Sequence, residues 1–292
     1  MSISKLYLKR FNLDDIENAK KEFENNGLVI IKNIISDDGI EKIFRTINLL
    51  YKKYSPEKKL ISGSDNLWNT ESFHEKLINL RKKTPELFAS IYDDCQQSAS
   101  LHELMHEPKI LTTAAKIFGD EDSTSLALSG TMLRMDIPND SRNIYTWHQD
   151  HSYYKQNKSG VNGMVATVAL HDLEEKYGTI RFKIKSHKDG FVRAEAKDRV
   201  NHMESSQFVV SGKILNKYDL VHLVIKKEDL ALFSIDTIHA SGLNISNIIR
   251  LTSILRIHRM LVDDFSSFRD ETVFIKDVKR KFSQSKYYKQ SD

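Results

Sequence analysis

The sequence predicts an α+β fold. A mostly helical first part packs on the outer face of the larger sheet of a double-stranded β-helix, the jelly-roll or cupin-like architecture. Three observations carry this prediction. Apolar residues recur at helical spacing through about residue 118. From about Ser125 the pattern changes to many short β-rich runs separated by polar or Gly-containing turns, the density expected of a sandwich or barrel. Two segments rich in metal-ligating side chains, Trp147–Asp150 and His239–Arg250, are also far apart in the chain, and a jelly-roll would bring them together on facing sheets.

The elements follow in order. Leu13, Ile16, Ala19 and Phe23 give a helix over 13–26, with Asn12 as cap and Gly27 as stop. Residues 28–31 are a short strand. Ser36 opens a second helix with Ile40, Ile43, Phe44, Ile47 and Leu50 on one face. Residues 54–69 read as a loop, and helices fill about 73–118 before Gly119. Strands are expected at 126–135, 146–151, 164–170, 179–182, 208–210, 220–225, 230–235, 239–245 and 250–260. One domain over 1–262 results, its helical part at 1–120 and its jelly-roll at 125–262, followed by a polar tail at 263–292.

Composition narrows the class. The chain has 292 residues, 40% of them hydrophobic, enough for one sizeable core. No apolar run approaches the roughly 20 residues that cross a bilayer, and the N-terminus lacks the apolar centre of a secretory signal. A cytoplasmic location with no membrane partner is expected. The single cysteine, Cys95, excludes an internal disulfide framework and suits a reducing compartment. Net charge is +4. The basic cluster Lys276–Lys281 is too short, and too poor in motif, to indicate nucleic-acid binding. A small-molecule substrate and a monomer or homodimer are the expectation.

The chemistry concentrates in the two segments. On a strand, residues i and i+2 share a face, so His148 and Asp150 present an imidazole and a carboxylate side by side. His239, from a distant strand, would complete two His and one carboxylate on a metal. That set leaves three adjacent coordination positions open, as non-haem Fe(II) oxygenases require. Arg250 could grip the far carboxylate of a dicarboxylate through its planar guanidinium.

Together the segments resemble the phytanoyl-CoA dioxygenase family of Fe(II)/2-oxoglutarate oxygenases. Its members show His-Gln-Asp-x-x-Tyr and, later, His-x-Ser-Gly-x-Asn-x-Ser/Thr-x-x-x-Arg. His148 through Tyr153 and His239 through Arg250 keep that order and those spacings. The likeness spans roughly residues 13–260, including Phe23–Ile31, Gly178–Ile180 and Ser186–His187. The departures are Tyr177, Ile184 and Lys185, where the family has Asn, Pro and Gly. That loop borders the active-site mouth in relatives, so the departures bear on substrate rather than on the metal.

The resemblance implies Fe(II), 2-oxoglutarate as cosubstrate and O2, with ascorbate as a candidate reductant. It makes His148, Asp150 and His239 the metal ligands, and Arg250 and Ser241 the anchors of the distal carboxylate. Gln149, Thr167, Arg134 and Met132 are placed near the cosubstrate, although a regular strand would turn Gln149 away. Related halogenases have Gly or Ala at the Asp150 position, so the retained carboxylate favours hydroxylation. His151 and Trp147 read as structural, and Asn244 and Ser246 as satisfying turn backbone. Tyr153 and Tyr154 could line a substrate mouth or simply fill core. Arg181, with Lys183, Lys185, Lys188 and Arg193 nearby, could draw a polar, anionic small metabolite, with 187–219 as a lid; a solvated basic loop is the alternative.

Two other classes stay open. One is a non-catalytic jelly-roll that binds a small molecule. The other is a zinc metallohydrolase built on His102-Glu103-x-x-His106, against which Pro108 breaks the helix just beyond His106.

Overall fold

The computed structural model describes residues 8–61, 67, 70–192, 194–197 and 207–266. Arg193, the Lys276–Lys281 cluster and nearly all of the polar tail lie outside them.

The first part of the chain is helical because its apolar residues fall on single faces. A 3-10 turn, Leu13–Asp15, leads into α1 (Ile16–Asn26). The helix therefore begins a turn later than the Asn12 signal suggests, and Asn12 makes no side-chain cap. Gly27 ends it at φ 75°, donating its N–H to the Phe23 carbonyl. Only glycine fits there, since a Cβ would stand 2.5 Å from Thr237 Oγ1. In α2 (Asp37–Tyr54) the Ser36 hydroxyl accepts from Gly39 N–H, and Ile40, Ile43, Phe44 and Ile47 are buried, each contributing roughly 1.5–3 kcal/mol. Helices α3 (Glu71–Lys83), α4 (Pro85–Gln96), α5 (Ala99–Met105) and α6 (Pro108–Phe118) follow. Pro85 and Pro108 sit in the first turns of α4 and α6, where their missing N–H costs nothing.

The strands are β1 (Arg10–Phe11), β2 (Leu28–Ile31), β3 (Leu126–Asp136), β4 (Gly163–Ala169), β5 (Arg181–Lys183), β6 (Glu195–Lys197), β7 (Gln207–Val209), β8 (Leu220–His222), β9 (Leu230–Ser234), β10 (His239–Ala240) and β11 (Arg250–Arg259), with a short helix α7 (Gly212–Leu215) before β8. A six-stranded sheet runs β1-β2-β9-β4-β11-β3, a three-stranded sheet runs β10-β5-β8, and β6 and β7 form a separate ribbon. The large sheet is covered on both faces, so β2, β4 and β9 are continuous buried runs. Val29, Ile31, Met164, Ala166, Val168, Leu230 and Leu232 join the helices in one core. Their alternates, among them Leu28, Ile30, Val165, Ala231 and Phe233, join Phe182 and Val221 of the small sheet in a second core. Alternation along the strands thus sorts residues toward the helices or toward the barrel interior.

Three expectations need correction. Residues 146–151 do not form a strand: His148 makes one antiparallel bridge to His239, then Asp150–Ser152 is a 3-10 turn. The Asp150 carbonyl accepts from both Tyr153 N–H and Tyr154 N–H, which turns the chain. His148 and His239 are therefore neighbours on the small-sheet side, not residents of facing sheets, and the segment that starts at His239 reaches the large sheet only at Arg250 of β11. The strand expected at 239–245 stops at Ala240, because the Asn244 side chain bonds Asp136 O, Ile248 O and Ser246 N–H and holds a turn. The short elements β1, β6 and α7 carried no readable periodicity.

Candidate active site

The His148–His239 bridge is closed by two backbone hydrogen bonds of 2.9 Å, one in each direction. It brings the two imidazoles to a centroid separation of 4.2 Å. His148 Nδ1–H donates to Thr146 O at 2.7 Å and His239 Nδ1–H to Thr237 O at 2.9 Å. Each ring thereby keeps its Nε2 lone pair free for a metal. Both Nε2 atoms face the same oxygen, Asp150 Oδ1, at 3.4 and 3.6 Å. All three side chains are buried, and among the described residues this is the one His/Cys/Asp/Glu group whose ligand atoms converge within 4.8 Å. Burial, with the neighbouring His148, lowers the His239 pKa to about 3, which favours the neutral ligand form. Burial alone would raise the Asp150 carboxyl, but the Arg256 guanidinium and both imidazoles hold it well below the usual carboxylate range.

The wall opposite is charged. Arg134 and Asp136 of β3 and Arg250 of β11 lie on adjacent, cross-paired strands. Arg134 Nη2 donates to Asp136 Oδ1 at 2.9 Å, and Arg250 donates to Asp136 Oδ2 through Nη2 at 2.6 Å and Nε at 3.2 Å. Arg250 Nη1 is buried with no hydrogen-bond partner. Two guanidinium groups thus share one carboxylate, and the surplus positive charge with its unpartnered donor suits a carboxylate. A cavity of about 160 Å³ joins this cluster to the triad, with Ser241, Met132 and Thr252 in its wall.

A family model for phytanoyl-CoA dioxygenase (PhyH) matches residues 23–252. The chain belongs to the phytanoyl-CoA dioxygenase family. No curated protein matches the sequence. Solved structures with a similar fold include the epimerase SnoN in complex with Fe3+, alpha ketoglutarate and nogalamycin RO, at 15% identity and TM-score 0.54, covering 84% of each chain. EctD from S. alaskensis in its apoform aligns at 14% identity and TM-score 0.54 over 88% of this chain and 82% of its own. The non-heme monooxygenase ThoJ, in its apo form, aligns at 17% and 0.53 over 82% and 77%.

Several residues singled out from the family pattern lie elsewhere. Gln149 does not line the cavity. Its amide donates to Gly190 O and Asp236 O and accepts from Val192 N–H, so it fastens the loop after β5. Extended backbone at Gln149 turns it away from its two neighbours. Thr167 points to the barrel interior but is outside the lining; its hydroxyl is buried without a partner, while Val165, Phe233 and Ile254 form the wall beside it. Arg181 alternates with Phe182, and Phe182 takes the core. Arg181 therefore lies on the outer face, 5.2 Å over the Trp147 ring and bonded to Ser241 O. Lys183 shares that ring at 5.6 Å. Neither cation reaches the cavity. Lys185, where relatives have Gly, adopts φ 66°, the left-handed conformation that explains glycine at this position.

Tyr153 and Tyr154 do line the cavity, with Tyr145. Tyr153 is 37% exposed and its hydroxyl accepts from Phe208 N–H of β7. His151 donates to Asp236 Oδ1 at 2.6 Å, a structural pairing. The His102/His106 pair is not part of the cavity wall: α5 ends at Met105, His106 is the cap residue, and Glu103 faces Lys42. Sequence reasoning missed the polar wall residues Tyr145 and Arg256, and Asp136 behind the wall, which pairs Arg134 and Arg250. Arg256 is the one a sequence signal could have found. It follows Arg250 by three alternations on a buried strand, where a charged residue needs a partner.

Proposed function

We propose that this protein is an Fe(II)- and 2-oxoglutarate-dependent dioxygenase that hydroxylates a C–H of a small polar metabolite, releasing succinate and CO2. The single observation that carries the reading is that one cavity holds both halves of such a site. Two Nε2 lone pairs and Asp150 Oδ1 converge at one end, and the unpartnered Arg250 Nη1 is buried at the other. When bound, Fe(II) with 2-oxoglutarate would supply activation of O2.

The remaining work falls to the chain. His148, Asp150 and His239 would occupy one face of the metal and keep the opposite face open. Arg250 Nη1 and the Ser241 hydroxyl would hold the distal carboxylate, with Arg134 and Asp136 fixing the Arg250 plane. Tyr145, Tyr153, Tyr154 and Ile180 would exclude water and seat the substrate. The tyrosine hydroxyls and charged groups in the cavity wall support a polar substrate. Hydroxylation rests on the retained Asp150; the SnoN fold relative is an epimerase.

The test is a metabolite-extract screen scored by succinate release, with Fe(II) and 2-oxoglutarate each omitted in turn. The reading expects release above the uncoupled rate that needs both. Release that persists without Fe(II), or none under any condition, would reject it.

A further inference from the structure

Asp150 has two oxygens, and only Oδ1 faces the imidazoles. Arg256 Nε donates to the other, Oδ2, at 2.8 Å. The guanidinium is fixed on two further sides: Nη1 donates to the Gly130 carbonyl at 3.0 Å, and its carbon lies 4.5 Å over the Tyr154 ring. Arg256 is 8% exposed.

The seat for this side chain is built into the backbone. The β3–β11 register shifts between Ile254 and Arg256, a bulge centred on Gly130 at φ 60°. A bulge turns a carbonyl out of the ladder and re-aims the neighbouring side chains. Here the turned-out carbonyl belongs to Gly130 and the re-aimed side chain is Arg256. A Cβ at Gly130 would lie 2.6 Å from Tyr154 Oη, so the glycine also makes room for the stacked ring.

A cation beside a metal site is electrostatically unfavourable, so its geometry must offset that cost. A carboxylate can ligate with one oxygen or two. One-oxygen ligation leaves three positions open, and two-oxygen ligation leaves two. On the metal-site reading given above, we propose that Arg256 is a positioning residue: it occupies Oδ2 of Asp150, so that only Oδ1 is presented to the metal and three positions stay free.

The experiment is an anaerobic titration of the metal-free protein with Co(II) alone, read by visible absorption. Arg256→Gln, checked for folding by far-UV circular dichroism, should bind Co(II) with an altered visible band, because Oδ2 is freed to ligate and the ligand number changes. Because that variant could fail to fold, a second measurement uses Asp150→Gly. There Arg256 keeps its seat without its carboxylate, and added formate should restore Co(II) affinity at least tenfold. An Arg256→Gln protein with the wild-type spectrum, or an Asp150→Gly protein that formate does not rescue, would overturn the proposal. Failure of the wild-type protein to bind Co(II) would instead reject the metal-site reading on which it rests.

Discussion

Arg250 meets Asp136 through two nitrogens and a single oxygen. Nη2 and Nε both reach Oδ2, at 2.6 and 3.2 Å, while Nη1 is buried and unpaired. Arg134 neutralises the other oxygen. The arrangement fixes the Arg250 plane and keeps one donor in reserve.

Replacing Arg250 with Ala should therefore weaken 2-oxoglutarate binding by about 2–5 kcal/mol, the usual cost of truncating one member of a buried charge pair. Metal binding should persist, since Arg250 is no ligand. Isothermal titration of the metal-loaded protein reads both, and an unchanged cosubstrate affinity would remove Arg250 from its role.

Asp136→Asn makes the converse prediction. Two buried guanidinium groups lose their shared counter-charge, so the metal-free protein should lose about 3–5 kcal/mol of stability. A dicarboxylate should then stabilise this variant more than the wild type. Urea unfolding with and without 2-oxoglutarate measures it; equal ligand-induced gains in the two proteins would contradict the account.

The triad should separate cleanly from the outer-helix histidines. His148→Ala, Asp150→Ala and His239→Ala are each expected to abolish uncoupled 2-oxoglutarate decarboxylation, whereas His102→Ala and His106→Ala should leave it near wild type. If the outer pair proved essential and the triad dispensable, the zinc hydrolase reading would return.

What the sequence made legible was local. The i, i+2 spacing of His148 and Asp150 and the tight run from His239 to Arg250 needed no long-range knowledge. Gly27 and Gly119 ended their helices in the left-handed conformation as glycines do. What stayed hidden depended on partners far along the chain: Arg256 bonds Asp150 across 106 residues and Arg250 bonds Asp136 across 114. The stretch around Trp147 was rich in strand formers, yet two amides on the Asp150 carbonyl turned it. Arg181 was misplaced although its neighbour Phe182 gave the answer, because the apolar member of an alternating pair takes the core.

Two histidines outside the site should make stability depend on pH. Burial lowers His171 to about 4, and burial with the nearby Arg256 charge lowers His258 to about 4. His171 donates from Nδ1 to Asp172 O and accepts Leu251 N–H at Nε2, so protonation would break the second bond. The unfolded chain binds protons more readily at both positions, so stability is complete above about pH 6.5 and declines as pH falls toward 4. Each histidine costs up to roughly 3 kcal/mol at the low end. Urea unfolding at pH 7.5 and pH 5 should show the decline, with a shallower slope for His171→Asn; identical slopes would exclude His171 as a source.

One cavity is proposed to hold Fe(II) on His148, Asp150 and His239 and 2-oxoglutarate against Arg250. The most direct measurement is an anaerobic titration of the metal-free protein with Fe(II) followed by 2-oxoglutarate. A visible metal-to-ligand charge-transfer band should appear only when both are present, saturate at one equivalent of each, and vanish in His239→Ala. Fe(II) and 2-oxoglutarate that produce no such band with the wild-type protein would contradict the account.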